Sequence, residues 1–163
     1  MIQLHSMTDA DFAWMLGEHA RADGLILVEG GIAPAEVMTM LRGIAATLAA
    51  DAPGPVAWLV SDDQLVIGMI SFTKRGADGL YEIGYGVAPA HHGRGVMTQA
   101  IAALLPIAAG QGHQRLTAET GVDNPASQRV LERNGFVRTG TRDDPEDGAL
   151  IAWAIDLTNE KAR

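Results

Sequence analysis

The first suggestion of chemistry lies between Tyr81 and Ala100, in YEIGYGVAPAHHGRGVMTQA. Gly93 and Gly95 flank Arg94, and an apolar pattern of helical period starts at once with Val96, Met97, Ala100, Ile101, Leu104 and Leu105. A glycine loop that opens a helix leaves backbone N–H groups unpaired and aims the positive end of the helix dipole at one point. Such a loop can hold a phosphate or pyrophosphate. Any tight strand-to-helix turn also uses glycine, so the spacing alone leaves both readings open. A second helix start follows at Asn124-Pro125, with asparagine as N-cap and proline at the first helical position. Ser127, Val130, Leu131 and Asn134 then share one side of that helix, and Gly135 fits a left-handed stop.

The elements that must position these residues can be read from periodicity. Met1 to His5 alternates like a short strand, and Thr8 can cap a helix carrying Phe12, Met15 and Leu16 on one face. Leu25 to Val28 is an apolar run among Gly24, Gly30 and Gly31. It has neither period and is too apolar to be left in water, so it is expected to enclose a ligand, meet a second subunit or pack in the core. Pro34 opens a second helix whose buried stripe would be Val37, Met40, Leu41, Ile44 and Leu48. Pro53, Gly54 and Pro55 end it. Val56 to Val60 and Leu65 to Phe72 read as strands joined at Asp62 and Asp63, and Asp78-Gly79 marks the next turn. Pro106 interrupts the best helical pattern and predicts a kink or an early end. Asp143, Asp144, Glu146 and Asp147 read as a solvated acidic turn before Gly148. Trp14, Trp58 and Trp153 are expected in the core or in pocket walls.

Composition narrows the class. A chain of 163 residues is expected to form one domain, 1–163, with a sizeable core. The absence of cysteine excludes a disulfide framework and thiolate chemistry. The formal charge of −8 and pI of about 4.9 argue against a nucleic-acid partner, which requires a basic face. Neither a secretory leader pattern nor a membrane-length apolar stretch is present, so a cytoplasmic protein without a membrane partner is expected. His91 and His92 stand without a third ligand, and no metal site is expected there.

Two linked motifs resemble the GCN5-related N-acetyltransferases (GNAT), closest to the branch of the ribosomal-protein N-terminal acetyltransferases. The first is the strand E-x-G-Y of Glu82, Gly84 and Tyr85, followed by Pro89 and by His91, Gly93, Arg94 and Gly95. The second is N-x-x-S with a following K/R-x-G-F, formed by Asn124, Ser127, Arg133, Gly135 and Phe136. The resemblance covers the C-terminal half well and the N-terminal half by pattern only. It implies an α+β fold: a mixed, mostly antiparallel sheet of about six or seven strands with a V-shaped splay, flanked by about four helices. It also implies acetyl-CoA as co-substrate, a primary amine as acceptor (a peptide N-terminus, an amino acid or a small polyamine), and direct attack in a ternary complex. A homodimer is within the family's range.

On this resemblance, Gly86, Val87 and Ala88 would hold pantetheine at the splay, and His92, Gly93, Arg94, Gly95, Val96, Met97 and Thr98 would cradle the pyrophosphate. Asn124 would contact the pantetheine arm and Arg133 would stand near the adenosine 3′-phosphate. Many relatives carry a tyrosine acid where this chain has Leu131, which cannot donate a proton. Ser127 is the candidate in this branch for stabilising the leaving thiolate, and it also counts among the cofactor contacts. Glu82 is the candidate general base, since a strand carboxylate beside a cleft would have a raised pKa. The acceptor pocket would be built from Glu18 to Met38. The alternative is a non-catalytic acyl-CoA-binding regulator that keeps the cradle without the chemistry.

Overall fold

The computed structural model describes residues 1–157. Its framework is one sheet of eight strands: β1 (Ile2–Ser6), β2 (Ile26–Leu27), β3 (Ala57–Asp62), β4 (Leu65–Arg75), β5 (Tyr81–Val87), β6 (Arg115–Gly121), β7 (Val137–Asp144) and β8 (Gly148–Asp156). Four helices accompany it: α1 (Asp9–Met15), α2 (Ala35–Ala49), α3 (Val96–Gly110) and α4 (Pro125–Arg133). The strand order is β1-β3-β4-β5-β6-β8-β7, with the two-residue β2 running parallel to the start of β4. All other pairings are antiparallel except β5 with β6. The expected α+β architecture is therefore present.

β3 and the middle of β4 are buried on both faces, which explains their continuous apolar runs. Trp58 meets Phe72 edge-on at 5.3 Å, and Phe72 stacks on Tyr81 at 4.7 Å, so aromatic contacts link the core faces of three neighbouring strands. α3 covers this face with Val96, Met97, Ala100, Ile101, Leu104, Leu105 and Ala108, the stripe read from its sequence. Trp58 and Trp153 lie in the core, whereas Trp14 is half-buried beneath the Arg21 guanidinium.

Several expectations shift. α2 starts one residue later, with Pro34 as its N-cap. Its inward stripe is Met38, Leu41, Ala45 and Leu48, while Met40 faces solvent and Val37 is exposed. The helix is turned so that Val37 borders a cleft rather than the closed core. α3 runs through Pro106 to Gly110 without ending early. Pro106 and Ala102 both lie on the exposed side, so water can reach the Ala102 carbonyl that the missing N–H leaves free. Asp143 and Asp144 belong to β7, and Asp144 organises the turn into β8 by accepting from the N–H groups of Glu146 and Asp147 at 2.8 and 3.0 Å. Within Leu25–Val28, Ile26 and Leu27 form β2, with Val28 buried and Ile26 exposed, and the N–H groups of Ile26 and Val28 bond the carbonyls of Gln64 and Val66. Among the described residues no helix is long and apolar enough to cross a membrane.

Candidate active site

β5 and β6 are paired only at Tyr81–Leu116 and Glu82–Thr117. Beyond that point β5 stays with β4 as far as Val87–Gly68, and β6 stays with β8 as far as Gly121–Leu150. The two parallel strands part because each follows its other neighbour, and the sheet opens toward their C-terminal ends. Glycines allow the close packing on the β4 side. A Cβ at Gly68 would stand 2.7 Å from the Gly86 carbonyl oxygen, and one at Gly84 would stand 2.8 Å from Thr73 Cγ2, beside the bulge in β4.

Below the opening, Pro89–His91 forms a 3-10 turn, and the chain enters α3 through Gly93 and Gly95, both left-handed at φ +75° and +70°. The first amide bonded into the helix is that of Gln99, which donates to the Gly95 carbonyl at 3.1 Å. The N–H groups of Val96, Met97 and Thr98 therefore point out of the helix end. A Cβ at either glycine would meet nothing within 4 Å, so the space over the loop is open and suits a phosphate group. Arg94 is exposed on this loop, and the Met97 side chain turns into the core, leaving the loop clear. His92 is held in place at the start of this loop. Its N–H closes the turn on the Pro89 carbonyl, and its ring Nε2 bonds the Val87 carbonyl at 2.8 Å.

Across the opening, Asn124 caps α4 by accepting from the Ser127 N–H at 3.2 Å. Gly135, at φ +87°, ends the helix, with the Phe136 N–H returning to the Leu131 carbonyl. Asn134 donates to the Thr98 carbonyl at 3.2 Å and so ties the end of α4 to the first turn of α3. Leu131 is fully buried and faces the core. The Ser127 hydroxyl lies 2.7 Å from the Tyr85 hydroxyl. Burial holds the Tyr85 phenol above its ordinary value, against the opposing effect of its hydrogen bond with Ser127, so it is a neutral O–H at physiological pH.

A cleft of about 330 Å³ collects much of the expected site: Gly86, Val87, His92, Gly93, Val96, Met97, Asn124 and Ser127. Arg94, Gly95 and Thr98 stand beside it on the loop and first turn, while Arg133 is exposed outside its lining. Ala88 also lies outside: it is buried, and its N–H bonds the Ile67 carbonyl in β4 at 2.8 Å. Sequence reading missed Tyr85, His91, Ala126 and Val130, which complete the lining. The alternation of β5 separates Tyr85 from Glu82, but only the placement of α4 shows that Tyr81 is core and Tyr85 is site.

A second cleft, of about 220 Å³, opens against α2. It is lined by Ile32, Ala33, Val37, Leu41, Met69, Ser71, Gly84, Tyr85 and Gly86. The two clefts share Tyr85 and Gly86. Glu82 lies one strand period from Gly84, half-buried, with Thr73 Oγ1 donating to its carboxylate at 3.2 Å. Burial, and next the nearby charge of Glu119, raise its pKa, while Thr73, Lys74 and Arg142 oppose the shift. Arg142 itself is engaged with Glu119 at 2.6 and 2.8 Å.

Comparison with known proteins agrees with this geometry. The family model of the acetyltransferase (GNAT) domain matches residues 2–137. The ribosomal-protein-serine acetyltransferase of Escherichia coli (strain K12) is 38% identical over 107 residues, 64% of this chain, and the match spans 58% of that protein's length. A chimera of the Vibrio cholerae spermidine N-acetyltransferase SpeG with hSSAT superposes with a TM-score of 0.71 at 17% identity, covering 99% of both chains. The aminoglycoside acetyltransferase AAC(6′)-Ib in complex with coenzyme A gives a TM-score of 0.68 at 18% identity over 100% of both chains. A Bacillus anthracis acetyltransferase (GNAT family) gives 0.66 at 19%, covering 96% of this chain and 95% of its own. At these identities the structural likeness establishes the fold. Splay, glycine loop and family match converge: the chain belongs to the GNAT acetyltransferase family of N-acetyltransferase enzymes.

Proposed function

We propose that this protein is an acetyl-CoA-dependent N-acetyltransferase that acylates a primary amine by direct attack in a ternary complex. The observation that carries the reading is the meeting of two clefts at Tyr85 and Gly86, one floored by a phosphate-suited helix start and the other apolar. The donor cleft fits an extended pantetheine because β5 beyond Glu82 has no β6 partner, and the open loop at Gly93–Gly95 fits the pyrophosphate. Bound acetyl-CoA would supply a thioester whose carbon–sulfur bond breaks as the amine nitrogen bonds to the carbonyl carbon. Glu82 lines neither cleft but lies in phase with Gly84 on the same strand, and it would take the proton that the ammonium must lose before attack through an ordered water. Ser127 would donate its hydroxyl hydrogen bond to the negative charge that develops on the departing sulfur.

The acceptor cleft offers apolar side chains and the hydroxyl of Ser71, the Tyr85 hydroxyl being engaged with Ser127 on the donor side, and no carboxylate lines it. That lining suits a single amine with an apolar flank, such as a peptide N-terminus or an amino acid, better than a polyamine, whose further charges would require acidic partners. The test is thiol release from acetyl-CoA with peptides, amino acids and polyamines as acceptors. Turnover with peptide or amino-acid amines supports the reading. Tight CoA binding with no turnover on any amine would instead indicate an acyl-CoA-binding regulator.

A further inference from the structure

We propose that Tyr85 is the positioning residue of this site and the source of the proton that Ser127 delivers to the leaving sulfur. The inference rests on the acetyltransferase reading above and goes beyond it. Four observations carry it. The two hydroxyls stand 2.7 Å apart, a full hydrogen bond between a strand on one side of the splay and a helix on the other. Both residues line the donor cleft, and Tyr85 is one of the two residues it shares with the acceptor cleft, so the pair stands on the donor side of their border. Leu131, the next inward position of α4, is fully buried and contributes no polar group. Finally, the Ser127 N–H is held by Asn124, so the serine backbone is fixed and its hydroxyl has the tyrosine as its side-chain partner.

A serine hydroxyl alone is a poor acid, because an alkoxide would be left behind. A phenol is a far better one, and here it is hydrogen-bonded to the serine. In the proposed step the amine nitrogen–carbon bond forms and the carbon–sulfur bond breaks, its electron pair leaving on sulfur. The Ser127 hydroxyl gives its proton to that sulfur while the Tyr85 hydroxyl gives its own to Ser127. The phenolate then regains a proton from solvent, matching the one that the new amide nitrogen releases. No oxidant, metal or further reactant is required. The phenol thus comes from β5, opposite α4, so the loss of a tyrosine on the helix need not abolish acid catalysis.

The experiment compares Tyr85→Phe, Ser127→Ala and the double variant, each checked for an unchanged CoA affinity by calorimetry. Tyr85→Phe keeps the ring and removes only the hydroxyl. The expected result is a fall in kcat of at least about tenfold with little change in KM for acetyl-CoA. The double variant should be no slower than Ser127→Ala, and the solvent deuterium isotope effect on kcat should shrink in Tyr85→Phe. Wild-type kcat and isotope effect in Tyr85→Phe, or additive losses in the double variant, would overturn the relay while leaving the acetyltransferase reading intact. Failure of the wild-type protein to acetylate any amine despite binding CoA would overturn that reading, and the relay with it.

Discussion

Replacing Glu82 with glutamine should make the protein more stable and less active at the same time. Glutamine keeps the shape and can still accept the Thr73 hydroxyl hydrogen bond, found at 3.2 Å, but it carries no charge. Burial first, and the Glu119 charge second, hold the Glu82 carboxyl above the ordinary carboxylate range. A carboxyl raised in this way favours the fold fully below its unfolded value near 4.5, and that contribution is lost as pH rises through the folded pKa. At pH 7 the native state therefore holds a partly desolvated anion at a cost. For any group, a tenfold difference in ionisation constant between folded and unfolded states corresponds to about 1.4 kcal/mol. Solvent screening of a half-exposed group reduces this, so the relief should be about 1 kcal/mol or less. In a domain of this size, that is a rise in Tm of about 2–4 °C. Thermal melts at pH 7 should show the gain, and melts near about pH 4 should show little of it. In parallel, kcat/KM at pH 7 should fall by about a hundredfold, and the acid limb of the pH–rate profile should flatten. A lower Tm at pH 7, or an unchanged acid limb, would refute the assignment of a strained, proton-accepting carboxylate.

Other expectations can be checked with simpler variants. Gly95→Val places a β-branched residue at φ +70°, where a left-handed backbone costs about 1–2 kcal/mol, and it crowds the loop N–H groups; calorimetry should show CoA affinity down by at least about tenfold. Normal CoA binding by this variant would remove the loop from the cofactor site. Leu131→Tyr should not create an acid, because that side chain is wholly buried; overpacking should destabilise the fold by about 1–3 kcal/mol in denaturant melts, with no gain in turnover. His113 packs edge-on against Phe72 and Tyr81, and burial lowers its pKa below 6.5. Stability should therefore decline as pH falls below about 6.5 and through the lowered folded value, and in His113→Leu that part of the decline should vanish.

The local chemistry of the chain was legible without a structure, because it depends on neighbours in sequence. The Asn124 cap with Pro125 behind it, the Gly135 stop, the glycine entry to α3 and the apolar stripe of that helix all emerged as read. The two motifs also identified the family. What the sequence could not determine was anything set by partners distant along the chain. Ile26 and Leu27 became a strand because Gln64 and Val66 offer carbonyls to the Ile26 and Val28 N–H groups, and α2 turned Val37 toward a cleft whose other wall lies on β4 and β5. Tyr81 and Tyr85 are indistinguishable by strand alternation, since both point to the same face. Tertiary packing alone places Phe72 and His113 against the first and Ser127 against the second. The reason is physical: caps and turns are satisfied within a few residues, whereas a cleft exists only where β5 and β6 each hold to a different neighbour and part.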